Sequence, residues 1–174
     1  MLVMAWIQTF TGKAFDPLSD DPGLIDIRDI AHALSMQCRF NGHCRAFYSV
    51  AQHSVHVSQV TPAPLALWGL LHDAAEAYLS DLPRPVKSQF PLFSQWEDRL
   101  LGRILQEYGL TMPMPDAVRQ ADERLLMTEA RDLMAPPPKD WRIPAKPLEN
   151  LTIHPLMPAA AEKLFLQRYA ELTA

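Results

Sequence analysis

The sequence predicts an all-α protein, a bundle of about five to six helices, with room for one short β-hairpin at its N-terminal end. Three observations predict it. Apolar residues recur at three- and four-residue spacings in segment after segment, while period-two alternation is scarce. Sixteen prolines punctuate the chain, most of them between those segments. A chain of 174 residues that is 48% hydrophobic can close one sizeable core, so a single domain is expected.

The elements follow in order. Residues 6–16, WIQTFTGKAFD, alternate weakly around Gly12 and suit the hairpin. Residues 26–40 read as a helix that Asp26 caps, with Ile27, Ile30, Ala31 and Leu34 on one face; Asn41 and Gly42 then break it. Residues 49–60 are apolar at Val50, Ala51, Val57 and Val60, consistent with a second helix, although the valines leave a strand open. Residues 65–79 form the third helix, with Leu67, Leu71, Ala74 and Tyr78 in register. Residues 81–91 should be an ordered turn, because Pro83 and Pro85 oppose a regular helix.

Ser94 and Glu97 form a capping box for a fourth helix striped by Trp96, Leu100, Ile104 and Tyr108 and closed by Gly109. Residues 115–134 are a fifth helix, ended by Ala135 and three prolines. Residues 139–157 look irregular, and Pro158 opens a last amphipathic helix to Leu172. Trp68, Trp96 and Tyr78 are read as packing.

The formal charge of −4 gives no reason to expect a nucleic-acid polymer or an anionic membrane as partner. No apolar run is long enough for a membrane span. MLVMAWIQTF lacks the basic start and cleavage site of a signal peptide, so a cytoplasmic protein is expected. Cys38 and Cys44, six residues apart in no metal-binding pattern, could be bridged but read better as two inert thiols in a reducing compartment.

One segment conflicts with its own hydrophobicity. GLLHDAAEAYL places His72, Asp73 and Glu76 in the most apolar helix. Buried carboxylates need a partner or a metal. His72 and Glu76 are four apart and Asp73 and Glu76 three apart, so each pair shares a face. Imidazole and carboxylate together suit a hard or borderline divalent cation. Further ligands must come from elsewhere: His53 on the preceding helix, expected to be an antiparallel neighbour, and Asp122 at the edge of an apolar face of Val118, Ala121, Leu125 and Leu126. Each alone has an ordinary explanation, as a satisfied core histidine or a solvated helix acid. His56 is a rival to His53. The combination, in order and on separate helices, is what points to a site.

The order His53 … His72-Asp73 … Asp122 resembles the HD-domain phosphohydrolases, an all-helical, metal-dependent superfamily, over roughly residues 27–135. On that resemblance the chain is one HD-type domain: residues 1–26 as an N-terminal extension, residues 27–135 as the core, and residues 136–174 as an irregular segment plus C-terminal helix. The stretch LLHDAAEAYLSDLPRPVK is similar to that of the bacterial 5′-deoxynucleotidases, which pair His-Asp with a Glu three residues on and then an Asp-Leu-Pro-x-Pro-Val-Lys turn. Gln52 departs from their Glu-His-Ser, and Phe40 stands where they carry Trp after an Arg. The motifs RFNGH and FYSVAQHS are also similar to an uncharacterised bacterial and phage branch of HD hydrolases.

The resemblance implies one divalent metal ion (Mn, Co, Zn, Mg, Ni or Fe) on His53, His72, Asp73 and Asp122. Glu76 would orient a water or shuttle its proton, and Asp81 would bond the sugar or the leaving oxygen. Arg39 is the first candidate to grip phosphate, Lys87 the second, then Arg84 and His43, while Phe40 would stack on a base. The expected reaction removes phosphate from a small nucleotide, a (deoxy)nucleoside 5′-monophosphate. The rivals are a triphosphate or pyrophosphate hydrolase of the same fold, a non-catalytic nucleotide-binding domain with a structural metal, and a metal-free helical domain. A homodimer is a further expectation.

Overall fold

The computed structural model describes residues 6–19 and 24–174. The expected N-terminal extension therefore lies partly outside the described residues. The hairpin forms: β1 (Ile7–Gln8) pairs antiparallel with β2 (Ala14–Phe15). It is anchored by chemistry rather than by length. Asp29, buried on α1 (Ile27–Met36), accepts the Thr11 N–H at 2.6 Å and the Thr11 hydroxyl at 2.9 Å. Phe15 is buried and stacks on Tyr78 with ring centroids 4.0 Å apart.

Asp26 caps α1 by accepting the Arg28 N–H at 2.9 Å. The helix buries Ile30, Ala31 and Leu34 but stops at Met36, short of the expected Phe40. Backbone bonds to the start of the next helix end it, Arg39 N–H to Tyr48 O (2.9 Å) and Val50 N–H to Gln37 O (3.1 Å). A short 3-10 turn, Arg39–Gly42, follows.

The ambiguous valine segment is helical: α2 (Val50–Val60) is capped by Ser49, whose hydroxyl accepts the Gln52 N–H. It is buried on nearly every side and packs against α1, α3 (Ala66–Leu71), α7 (Asp116–Leu133) and α8 (Pro158–Thr173). Its buried polar residues Gln52, His53, Ser54 and Ser58 are all hydrogen-bonded, which lets a mixed helix sit at the centre of the bundle.

Three expectations about local structure are corrected. The third helix is not continuous: α3 ends at Leu71 and α4 spans Glu76–Leu79. Between them Ala74, Glu76, Ala77 and Tyr78 bond to the carbonyl three residues back, a tightened 3-10 path. The proline turn contains one helical turn, α5 (Arg84–Lys87), because Pro85 stands in the first turn, where no amide donor is needed. The helix α6 (Pro91–Glu107) begins at Pro91, so Ser94 lies inside it and the capping box does not form. Its C-terminus closes as expected: Gly109 has φ +71°, and the Gly109 and Leu110 amides reach Gln106 O and Leu105 O, a Schellman motif.

Residues 139–157 lack regular structure, yet side chains of the bundle satisfy their backbone. The Arg131 guanidinium donates to Leu148 O and Leu151 O, Thr128 accepts the Leu148 N–H, and Asp132 accepts the Ile153 N–H. Gln52 donates to His154 O and accepts from Leu156 N–H, both within 2.9 Å. Among the described residues, no helix is long and apolar enough to cross a membrane.

Gly69 sets how closely α3 approaches α2. A Cβ there would lie 2.9 Å from Thr61 Oγ1 and 3.1 Å from Ser58 Cα. The Thr61 hydroxyl is itself bonded to Val57 O at 2.8 Å, and the Ser58 contact is backbone, so neither can yield freely. Gly69→Ala should therefore destabilise the fold by about 1–3 kcal/mol. It should also weaken metal binding, because the residues three and four positions on from Gly69 would be displaced. Urea unfolding and a metal titration read the two effects; an alanine variant equal to wild type in both refutes the packing argument.

Candidate metal centre

Three segments of the bundle bring the predicted ligand side chains together at one point. The centre of α2 supplies His53, the tightened turn after α3 supplies His72 and Asp73, and the second turn of α7 supplies Asp122. His53 Nε2 lies 3.3 Å from His72 Nε2 and 3.2 Å from Asp122 Oδ1. Ligand atoms of His53, His72 and Asp122 all lie within 4.8 Å of one another and could hold a metal ion. Asp73 adds an oxygen 3.2 Å from His72 Nε2 and 3.6 Å from His53 Nε2.

The other nitrogen of each ring decides what faces that point. His72 Nδ1 is 2.8 Å from Gly69 O, a carbonyl that can only accept, so Nδ1 carries the hydrogen and Nε2 a lone pair. His53 Nδ1 donates to Glu129 Oε1 at 2.6 Å. Both Nε2 atoms are thus turned toward each other and toward carboxylate oxygens. The donors of His53, His72 and Asp122 suit a divalent cation, two imidazole nitrogens and a carboxylate, with each imidazole fixed by a partner behind it and Asp73 close by.

The surrounding acids favour positive charge at the centre of the cluster. Burial and the Arg39 guanidinium both oppose a charged His53, yet Glu129 and Asp122 outweigh them and hold the ring up to about 9. Burial works against charge on Asp73, Asp122 and Glu129 too, but the neighbouring cationic groups win and all three stay below the usual carboxylate range. Glu76 differs. It is buried, and burial, then Asp73, then Asp81 push it well above the usual range. Among the described residues, its Oε2 has no hydrogen-bond partner. Asp81 is raised by burial as well.

The predicted substrate residues are dispersed in role. Arg39 is buried, its Nε 3.1 Å from Glu129 Oε2 and its Nη1 3.7 Å from Asp73 Oδ2. Lys87 is held by both oxygens of Glu97, at 2.7 and 2.9 Å. Arg84 is 64% exposed and reaches to 3.6 Å from Asp122 Oδ2. Phe40 has its ring 6.4 Å from that of Trp141 and under the Arg39 guanidinium. His43 is exposed at the end of the 3-10 turn, its backbone N–H on Phe40 O. His56 turns away from the cluster, toward Gln52 and Gln59.

Two residues of the centre escaped the sequence reading. Glu129 is fully buried and receives His53 Nδ1–H, the Tyr48 hydroxyl at 2.8 Å and Arg39 Nε–H. The available signal was its position seven residues after Asp122, a charge on the same apolar face. Gln37 donates from Nε2 to Glu76 O (2.9 Å) and accepts the Asp81 N–H (3.2 Å), clamping the turn that joins the two acids. Nothing in its local sequence marks it.

Two relatives are similar to this chain. The chain is 41% identical over 176 residues to the uncharacterised protein YfdR of Escherichia coli K12, covering 98% of this chain and 97% of that protein. It is 34% identical over 127 residues to an uncharacterised protein of Rhodobacter capsulatus, covering 67% of this chain and 65% of the other. No family model matches the chain.

Glu129 should behave as the anchor of His53. Glu129→Gln keeps the shape but removes the charge, and metal affinity should fall about 10–100-fold. Glu129→Ala should in addition lower stability by about 3–5 kcal/mol, because Arg39 is left buried without its partner. Competition titration with a metal indicator and urea unfolding separate the two; unchanged metal affinity in both variants removes Glu129 from the centre.

Proposed function

The chain belongs to the same family as Escherichia coli YfdR, and from the convergence of His53, His72, Asp73 and Asp122 we propose that it is a divalent-metal-dependent phosphohydrolase of the HD type. Its substrate is a small nucleotide, a (deoxy)nucleoside 5′-monophosphate. The observation that carries the reading is the meeting of two imidazole Nε2 atoms beside carboxylate oxygens, with a separate buried acid, Glu76, whose Oε2 has no hydrogen-bond partner among the described residues.

His53, His72, Asp73 and Asp122 would hold the ion. When bound, the cation would supply Lewis acidity toward a water and a phosphoryl oxygen. Glu76 takes or returns a proton at Oε2. Burial, Asp73 and Asp81 raise its affinity for that proton well above that of an ordinary carboxylate. Asp81, fixed through Gln37, bonds the sugar or the leaving oxygen. Hydrolysis adds one water across the P–O bond, so the proton lost by the water ends on the leaving alcohol or the released phosphate.

The cations decide which phosphate fits. Arg39 has its guanidinium tied to Glu129 and Lys87 has its ammonium tied to Glu97, so neither is spare. Arg84, exposed and only loosely near Asp122, is the one of the three that can swing to a substrate oxygen. One mobile guanidinium beside a cation matches a single phosphoryl group better than a triphosphate tail, which needs more positive charge.

A phosphate-release screen over deoxy- and ribonucleoside mono-, di- and triphosphates with Mn, Co, Zn and Mg tests this reading. Release from the monophosphates is expected. Release of pyrophosphate or triphosphate moves the substrate class, and no release with metal bound favours a binding domain. Glu76→Gln should keep metal and lose about 10²–10⁴-fold in kcat. Arg84→Ala should lower kcat/KM on the order of ten-fold, chiefly through KM, with partial rescue by Arg84→Lys; an alanine variant with wild-type kinetics removes Arg84 from the substrate site.

A further inference from the structure

Cys38 and Cys44 flank the turn that carries Arg39, and the metal centre uses neither. Their sulfur atoms are 3.5 Å apart and both residues are partly exposed. The fold pins the segment at both ends. Cys38 pairs with Ser49 in an isolated antiparallel bridge, the Arg39 N–H is on Tyr48 O at 2.9 Å, and the Arg45 N–H is on Leu133 O at 2.8 Å. Between these anchors the chain doubles back through three consecutive left-handed residues, Phe40 (φ 56°), Asn41 (φ 52°) and Gly42 (φ 77°). A phenylalanine rarely adopts that conformation, so the surrounding structure holds it there. The loop is therefore already closed before any bond forms, and the entropy that opposes joining two cysteines has been met by the fold. A disulfide needs its sulfurs about 2 Å apart, so the 3.5 Å pair must close by about 1.5 Å.

We infer that Cys38 and Cys44 are a reversible modification site, closing into an intramolecular disulfide by exchange with a small-molecule disulfide such as oxidised glutathione. One protein thiolate attacks a sulfur of oxidised glutathione, breaking its S–S bond and releasing one glutathione thiolate. The second cysteine gives its proton to solvent and attacks the protein-side sulfur of the mixed disulfide, releasing the second glutathione. Two protein thiols lose two electrons, and oxidised glutathione gains them as two molecules of glutathione. The bond staples the loop that contains Arg39, whose guanidinium is bonded to Glu129, so the staple acts at one edge of the metal centre.

The test uses the full chain incubated with graded ratios of oxidised to reduced glutathione, trapped by alkylation, and read by intact mass, free-thiol count and a non-reducing gel. Both thiols should disappear together on a monomer with no glutathione adduct and return with dithiothreitol. Amide hydrogen exchange over residues 39–44 should slow in the oxidised form. Cys44→Ser should leave Cys38 carrying one glutathione. A stable adduct on the wild-type chain, a disulfide-linked dimer, or two thiols persisting in excess oxidised glutathione overturns the inference.

Discussion

A carboxylate removed from water has to be satisfied by protein donors, and Glu129 takes three: His53 Nδ1–H, the Tyr48 hydroxyl and Arg39 Nε–H. Those donors come from the central helix α2, the residue just before its cap, and the turn after α1. One buried charge on α7 thus fixes the relative placement of three other elements. It also points His53 Nε2 at the other ligands and neutralises an arginine that would otherwise repel a metal. The candidate centre depends on that contact as well as on its ligands.

The second constraint is the tightened backbone after α3. A regular helix through residues 65–79 would place His72 and Asp73 about 100° apart around its axis. The bonds from Ala74, Glu76, Ala77 and Tyr78 to carbonyls three residues back narrow the turn at this point. In a 3-10 path positions three apart eclipse, so Asp73 and Glu76 come onto one side. The close approach at Gly69 sets how far this turn stands from α2. Gly69 also lends its carbonyl to His72 Nδ1, so one glycine sets both the spacing of the two helices and the ring's tautomer.

The C-terminal region shows why Gln52 suits its position. Its amide donates to one backbone group of the irregular segment and accepts from another. A glutamate could accept but not donate, and it would bring a further buried charge beside His53. The departure from Glu-His-Ser seen in the sequence is therefore explained by what this chain lays over α2.

Much of the architecture was legible in the sequence because helices declare themselves locally. Apolar spacing, the Asp26 cap, Pro158 in a first turn and Gly109 at a C-terminus each act within a few residues of their own position. His53, His72, Asp73 and Asp122 were legible for a related reason: charge in an apolar register is visible without a structure. What only the tertiary structure decided is which charges cancel. Arg39 and Lys87 read as free cations until Glu129 and Glu97 were found bonded to them, 90 and 10 residues away in the chain. Gln37, 39 residues from Glu76, gave no local signal at all. Pairing of buried polar groups is a long-range property set by packing, so a sequence can show that a charge needs a partner without showing which residue it will be.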